Sequence, residues 1–312
     1  MICMRRSRNV QNRIIASWGD SLEYAEVVSQ KLGVNLITPV FRKFPNGETG
    51  VWIDSEEMDG EEVIIIKSLV KPVNDSLVEF LLVLDAIKRL RASKIRAVTP
   101  WLCYMPQDKT FRKGEALSSS IVANMINNSG LNELIVLDIH NAKTLELFEI
   151  PTNNIIPMDY FGRNLEKENL FDNAVVVAID KGNISRANQF ARRLGLKMYK
   201  MEKQRDLING KVKYKDFVKD LSEKTIIIID DYIGGGSTVL QSAKLLKYLG
   251  AKECIYCISH IFDNGSIRKI ARSKDVDLLI TTNASVVKEL LQNGKVRVID
   301  TADIIYDIFK NE

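Results

Sequence analysis

Ile226-Ile227-Ile228-Ile229-Asp230-Asp231-Tyr232-Ile233-Gly234-Gly235-Gly236-Ser237-Thr238 reads as a strand, a carboxylate pair, a glycine turn and a helix start. A run of isoleucines is what a strand buried on both faces requires, the situation of parallel sheets covered by helices. The carboxylates then fall at the carboxyl end of that strand, where open α/β sheets take their ligands. Glycines let a backbone approach an anion closely, and a helix start offers N–H groups and a favourable dipole to phosphate. Carboxylates suit ribose hydroxyls or a phosphate-bound Mg²⁺. The stretch therefore describes a pocket for a phosphorylated sugar. No lysine precedes Ser237, so this is not a Walker A loop, and the dinucleotide fingerprint lacks its third glycine.

Outward from this stretch, the chain alternates short apolar strands with amphipathic helices. Strands are expected at Arg13–Ser17, Val63–Ser68, Ile95–Thr99, Leu134–Asp138, Ala174–Asp180, Ile226–Ile229, Glu253–Ser259 and Leu278–Thr281. Helices are expected at Ser21–Leu32, Asn74–Arg91, Ser118–Ser129, Ile184–Leu194 and Thr238–Leu249. Such alternation implies parallel sheets flanked by helices, an α/β fold. The pattern restarts near Pro151–Pro157, which predicts two related domains, residues 1–155 and 156–312.

At 312 residues the chain has room for two domains with separate cores. Hydrophobic content of 46% and charged content of 27% are those of a globular protein in water. No apolar run is long enough to span a bilayer, and Arg5, Arg6, Arg8 and Arg13 read as a solvated tail without a signal-peptide core. The expectation is a cytoplasmic protein. A formal charge of +4 in mixed-sign helices argues against a nucleic-acid surface and is compatible with anionic small substrates. Cys254 and Cys257 sit three apart in an apolar strand, on opposite faces, as small buried hydrophobes rather than a metal or redox pair.

Other strand ends carry chemistry. Asp138 and His140 are two apart after Leu134–Leu137, which predicts one shared face able to meet Mg²⁺ and triphosphate oxygens. Asp180 closes an apolar run and is followed by Gly182 and a helix, repeating the logic of the opening motif. Lys203 and Arg205 would point the same way in an extended segment and could neutralise charge on a transferring phosphoryl group. Phe44-Pro45-Asn46-Gly47-Glu48 pairs a turn with an aromatic ring for stacking on a base. His260 reads as a packing residue.

In this order the motifs resemble the ribose-phosphate pyrophosphokinase (phosphoribosyl-pyrophosphate synthetase) family over essentially the whole chain. The landmarks are Phe44–Glu48, Asn74-Asp75, Tyr104-x-x-Gln107-Asp108, Gly114-Glu115, Asp138-Ile139-His140, Phe148-x-Ile150-Pro151, Asp180, Lys203-x-Arg205 and Asp230–Thr238. The resemblance implies two phosphoribosyltransferase-type (Rossmann-like) domains, with the last residues returning to the first. It implies transfer of the diphosphoryl group of ATP to the C1 hydroxyl of ribose 5-phosphate with Mg²⁺, giving AMP. Carried over by position, Gly234, Gly235, Gly236, Ser237 and Thr238 hold the 5-phosphate, and Asp230 and Asp231 the ribose hydroxyls. Asp138, His140 and Asp180 serve the metal, and Lys203 and Arg205 are the catalytic cations. Phe44, Asn46, Glu48, Gln107, Asp108 and His140 contact ATP, the first three reaching a neighbouring subunit in a homo-oligomer.

The chain departs from the family's usual pattern at Pro106, where an arginine is usual, at Gly234, Gly235 and Ser237 of the phosphate loop, and at Lys181 and Asn183. Two readings follow: an active synthetase, or a catalytically weak or inactive paralogue that binds and regulates a partner synthetase. A phosphoribosyltransferase that consumes the activated sugar needs neither the doubled architecture nor the Phe44–Glu48 segment.

Overall fold

The computed structural model describes residues 13–55, 58–205, 212–215, 221–262, 264–285 and 294–312, without the side chains of 202–205, 212–215 and 264. The chain forms two compact units, Met1–Ile155 with Thr301–Glu312, and Ile156–Asp300.

The first unit contains β1 (Arg13–Ser17), α1 (Leu22–Leu32), β2 (Asn35–Ile37), β3 (Val40–Lys43), β4 (Thr49–Trp52), β5 (Glu62–Ile66), α2 (Val73–Arg89), β6 (Lys94–Thr99), α3 (Ser118–Asn127), β7 (Glu133–Leu137) and β8 (Thr152–Ile155). The second contains α4 (Met158–Lys167), β9 (Ala174–Ala178), α5 (Ile184–Leu194), β10 (Lys197–Lys200), β11 (Glu202–Arg205), β12 (Val212–Lys215), β13 (Thr225–Ile233), α6 (Ser237–Tyr248), β14 (Glu253–Ile261), α7 (Asn264–Arg272), β15 (Leu278–Thr282) and β16 (Val296–Ile299). A last helix, Thr301–Phe309, belongs to the first unit.

Each unit holds a six-stranded sheet, and the two orders, β2-β1-β5-β6-β7-β8 and β10-β9-β13-β14-β15-β16, are the same topology. Every pairing within both sheets is parallel. Each unit adds an antiparallel ribbon, β3–β4 or β11–β12. The central strands are apolar through their middles because both faces are covered. In the first unit Ile14, Val63 and Ile65 face α2 and α3, while Ile15, Ile64 and Ile66 meet α1 and the last helix.

The amino ends of the first sheet carry an ion network. Arg13, Glu62, Lys94 and Glu133 open their strands, and Arg96 is the third residue of β6. Arg96 is 5% exposed and pairs with Glu62 at 3.4 Å, Glu133 at 2.7 Å and Glu312 at 2.5 Å. The ring of Phe309 lies 4.7 Å from its guanidinium.

The carboxyl ends differ between units. Lys67 stands at the same offset from the first rung of β5 as Asp230 does in β13. Lys67 is 4% exposed, lies over the Trp18 ring at 5.4 Å and donates to the Trp18 carbonyl at 3.4 Å. Burial pushes its ammonium pKa down, partly opposed by Asp20 and Glu79. A lysine so shifted costs stability below its folded pKa, and the cost is relieved as pH climbs towards its ordinary range. Lys67→Met is therefore expected to gain about 1 kcal/mol at pH 7, a gain that shrinks at pH 10. Denaturant unfolding at both pH values checks this; an equal difference at both would reject the desolvation.

Candidate active site

In the second unit the strand of isoleucines does not stop at Ile229. β13 continues through Asp230 and Asp231 to Ile233, paired with β14 as far as Ile233↔Ile261. The expectation that the carboxylates follow the strand end is corrected. They lie within β13, beyond the point where β9 ends its pairing at Val176↔Ile227. Beyond that point the β9 side of β13 is no longer paired, at the carboxyl side of the sheet.

Asp231 is buried and Asp230 partly so, and the Asp231 N–H donates to Asp230 Oδ1 at 3.0 Å. Burial first, then the charge of Asp231 and a side-chain hydrogen bond to it, hold the Asp230 carboxyl well above the ordinary carboxylate range, with Arg186 pulling the other way. Two carboxyls this close disfavour ionising together.

The loop that follows is open where a ligand would need it. Gly234 and Gly235 are exposed and a Cβ on Gly235 would touch nothing. Gly236 is different: φ is +75°, it caps α6, and a Cβ there would lie 3.4 Å from Ile270 Cδ1 and from Ser266 Cβ. Ser266 Oγ donates to the Gly234 carbonyl at 3.3 Å and steadies the loop. Ser237 and Thr238 are exposed in the first turn of α6, which contains no acidic residue. The first N–H groups of a helix lack intrahelical acceptors, so this end of α6 suits a phosphate dianion. Gly236→Val puts a β-branched residue in a left-handed conformation against α7. It is expected to cost about 2 kcal/mol of stability and at least tenfold in affinity for a sugar phosphate, read by calorimetry with ribose 5-phosphate. Parental affinity would remove this loop from the site.

Asp180 lies at the turn after β9 and accepts from the Asn183 N–H at 2.9 Å. Lys203 and Arg205 lie on β11, in register with Tyr214 and Val212; their side chains lie outside the described residues. His260 is fully buried and stacks on Phe262 with ring centroids 6.4 Å apart. Cys254 and Cys257 are buried, the first thiol pushed up to about 12 and the second raised well above its ordinary value, both by desolvation, far from thiolate chemistry.

In the first unit the chain leaves extended geometry at Asp138, whose φ is +51°. Two-residue alternation therefore does not reach His140: Asp138 is fully buried and His140 is exposed. The shared face is corrected to a turn, with the Asp138 N–H donating to the Ile155 carbonyl at 2.8 Å. Asn141, unremarked in the sequence, donates from Nδ2 to Asp108 Oδ2 at 2.5 Å. It brings the loop after β6 to the residue beside His140. Gln107 in that loop accepts from Ser118 Oγ at 2.7 Å and is itself exposed. Asp108, Gln107 and His140 thus belong to one neighbourhood.

Phe44, Asn46 and Glu48 form the tip of the β3–β4 ribbon. The Phe44 N–H donates to the Glu48 carbonyl at 2.8 Å, and the Glu48 N–H to Asn46 Oδ1 at 3.2 Å. A Cβ on Gly50 would come within 2.9 Å of Phe44 Cε2, so only glycine there leaves the ring room to lie on the ribbon. Phe44 is 39% exposed, and the guanidinium of Arg42 sits 5.1 Å from its ring centre.

Among the described residues no three His, Cys, Asp or Glu side chains gather into a metal cage. Mg²⁺ is ordinarily held by one or two carboxylates together with water and substrate phosphates. The Asp230–Asp231 pair has the carboxylate donors that would suit an ion arriving with substrate.

Two parallel sheets of one topology, each with a ribbon, and a glycine loop after a carboxylate pair define a protein of two phosphoribosyltransferase-type domains. Residues 14–130 match the family described as the N-terminal domain of ribose phosphate pyrophosphokinase, and residues 162–293 match the phosphoribosyl transferase domain. A ribose-phosphate pyrophosphokinase of Campylobacter jejuni subsp. jejuni is 31% identical over 300 residues, spanning 96% of each chain. One of Aquifex aeolicus is 33% identical over 282 residues, covering 90% of this chain and 89% of the relative. The crystal structure of a phosphoribosylpyrophosphate synthetase from Mycobacterium smegmatis superposes with a TM-score of 0.86 at 26% identity, covering 96% of this chain and 100% of the other. The chain belongs to the ribose-phosphate pyrophosphokinase family.

Proposed function

We propose that the protein transfers the diphosphoryl group of ATP to the C1 hydroxyl of ribose 5-phosphate, giving phosphoribosyl pyrophosphate and AMP. The observation that carries this is the adjacent Asp230 and Asp231 carboxyls followed directly by an open glycine loop at the start of α6. Ser237, Thr238 and the loop N–H groups hold the 5-phosphate, and the carboxylate pair takes the ribose hydroxyls. Phe44, Asn46 and Glu48 receive the adenine; Gln107, Asp108 and His140 receive the triphosphate. In the second unit Asp180 and the carboxylate pair would hold Mg²⁺, and in the first His140 would meet metal-bound triphosphate; the ion supplies charge neutralisation to the phosphates when bound, and Asp138, being buried, shapes the turn beside His140. Lys203 and Arg205 neutralise charge on the group in transfer. Catalysis is then positioning and electrostatics, without a strong general base.

The ribbon tip bearing Phe44 is suited to a neighbouring subunit's site, so the working form is a homo-oligomer. No described helix is long and apolar enough to cross a membrane, in keeping with a reaction in the cytoplasm on soluble substrates.

The test is purified protein with ribose 5-phosphate, ATP and Mg²⁺, following AMP and phosphoribosyl pyrophosphate together. Equal yields of both establish the reaction. Binding of ribose 5-phosphate without product, across several nucleotides, shifts the reading to a paralogue that binds and regulates an active synthetase, the alternative that Pro106 in the nucleotide loop favours.

A further inference from the structure

Asn183 sits where the turn after β9 gives way to α5, and it is 3% exposed. An asparagine at the start of a helix ordinarily accepts from the N–H groups of the first turn. Here the side chain makes no such bond, and among the described residues its Oδ1 has no hydrogen-bond partner. A buried acceptor without a donor lowers stability, so the residue is not placed for the benefit of the helix.

The rest of Asn183 is committed elsewhere. Its N–H donates to Asp180 Oδ1 at 2.9 Å, and its Nδ2 donates to the Ile229 carbonyl at 2.6 Å. The second bond falls at a particular place in the sheet. Pairing between β9 and β13 ends at Val176↔Ile227, so at Ile229 the ladder on that side is finished. The amide of Asn183 supplies the donor that β9 no longer can. The next residues along β13 are Asp230, which remains paired to Ile258 of β14, and Asp231.

We infer that Asn183 is a positioning residue, a strut that holds the Asp180 side chain and the backbone of the Asp230–Asp231 pair as one fixed set. The inference rests on the proposed reaction, in which that set receives ribose 5-phosphate. Asn183 touches neither the sugar nor its phosphate; it acts through the carboxylates.

The test compares the parent protein with Asn183→Ala and Asn183→Asp, the latter keeping the size and replacing the donor by an oxygen. Affinity for ribose 5-phosphate is read by calorimetry, turnover by product formation, and folding by thermal melting. Both variants are expected to lose about 10- to 100-fold in kcat/KM for ribose 5-phosphate, the range for small misplacements of a reacting set. Affinity for the sugar phosphate falls by about tenfold or more on the same ground, with melting lowered by only a few degrees, as expected for leaving the buried Ile229 carbonyl without its donor. Parental kcat/KM and affinity in Asn183→Ala overturn the strut, as does parental behaviour of Asn183→Asp, since the donor would then be irrelevant. Loss of activity only in proportion to lost folding assigns Asn183 to stability and also overturns it. If Asn183→Ala does not fold, Asn183→Asp decides alone. A parent that binds ribose 5-phosphate without turnover fails the proposed reaction but leaves the strut readable through affinity.

Discussion

Arg96→Ala lowers the stability of the first unit by about 3–5 kcal/mol, the cost of removing one partner from a buried ion pair. Arg96 is where the carboxylates of Glu62, Glu133 and Glu312 converge, and Glu62 is only 3% exposed. Without the guanidinium, Glu62 keeps Arg13 at 3.1 Å and Lys94 at 3.6 Å, while Glu133 keeps a 4.0 Å contact with Lys94 and a 3.1 Å hydrogen bond from Asn153 Nδ2. The ring of Phe309 also loses the cation packed on it, loosening the last helix. Urea unfolding reads the effect, and a loss under about 1 kcal/mol would place the network among weak surface pairs. Glu62→Gln with Arg96→Met recovers much of the loss, because no charge is left buried alone.

The same network predicts a pH dependence with a definite sign. Hydrogen bonding to Arg96, helped by the charges of Arg96, Arg13 and Lys94 and opposed by partial burial, holds the Glu312 carboxyl below its ordinary range. A carboxyl so lowered contributes stability above its unfolded pKa and loses it as pH falls through the folded one. The gap between parent and Glu312→Gln is therefore full at neutral pH and closes in acid, below about pH 4.

The central strands could be read from the sequence because burial on both faces leaves an unbroken apolar run. Ile226–Ile229, Val63–Ile66 and Ala174–Ile179 admit no other reading at that length, and Leu278–Thr281 differs from β15 by one residue. The edges were not legible. Thr152-Asn153-Asn154-Ile155 forms β8 with three polar residues because only one side of it is paired and its faces are partly open. β2, with a single neighbour, is equally short and half-exposed. Of the site, the glycine loop and the carboxylates were legible because their chemistry is local in sequence. Three features were not. The bend at Asp138 depends on a positive φ that no neighbouring glycine announces. The bond from Asn141 to Asp108 joins residues 33 apart. The reach of Asn183 to Ile229 spans 46. Contacts of that kind are set by the sheet order, and nothing in either local segment encodes them.

Asp230→Asn is expected to move stability and function in opposite directions. In the folded chain the Asp230 carboxyl is held well above its ordinary range, chiefly by burial and then by Asp231. As pH rises past about 4, the unfolded chain releases this proton first. The folded state therefore loses stability with rising pH until the folded pKa is passed. An asparagine keeps the shape and removes the penalty, so the variant gains about 1–2 kcal/mol at pH 8 and nothing near pH 4. The same change takes away the charge that ribose hydroxyls and a phosphate-bound cation require. Turnover is expected to fall by about 10²–10³, the range for losing one preorganised electrostatic group. A site selected for folding would not keep two carboxylates against each other when one amide relieves the strain, and natural sites of this kind sacrifice stability for chemistry. Melting curves at both pH values and product formation at pH 8 decide it. A variant that is less stable at pH 8 makes the acidic pair a structural feature. One that is more stable with full turnover removes Asp230 from the reaction while leaving the strain real. Only gain and loss together assign the pair to the substrate.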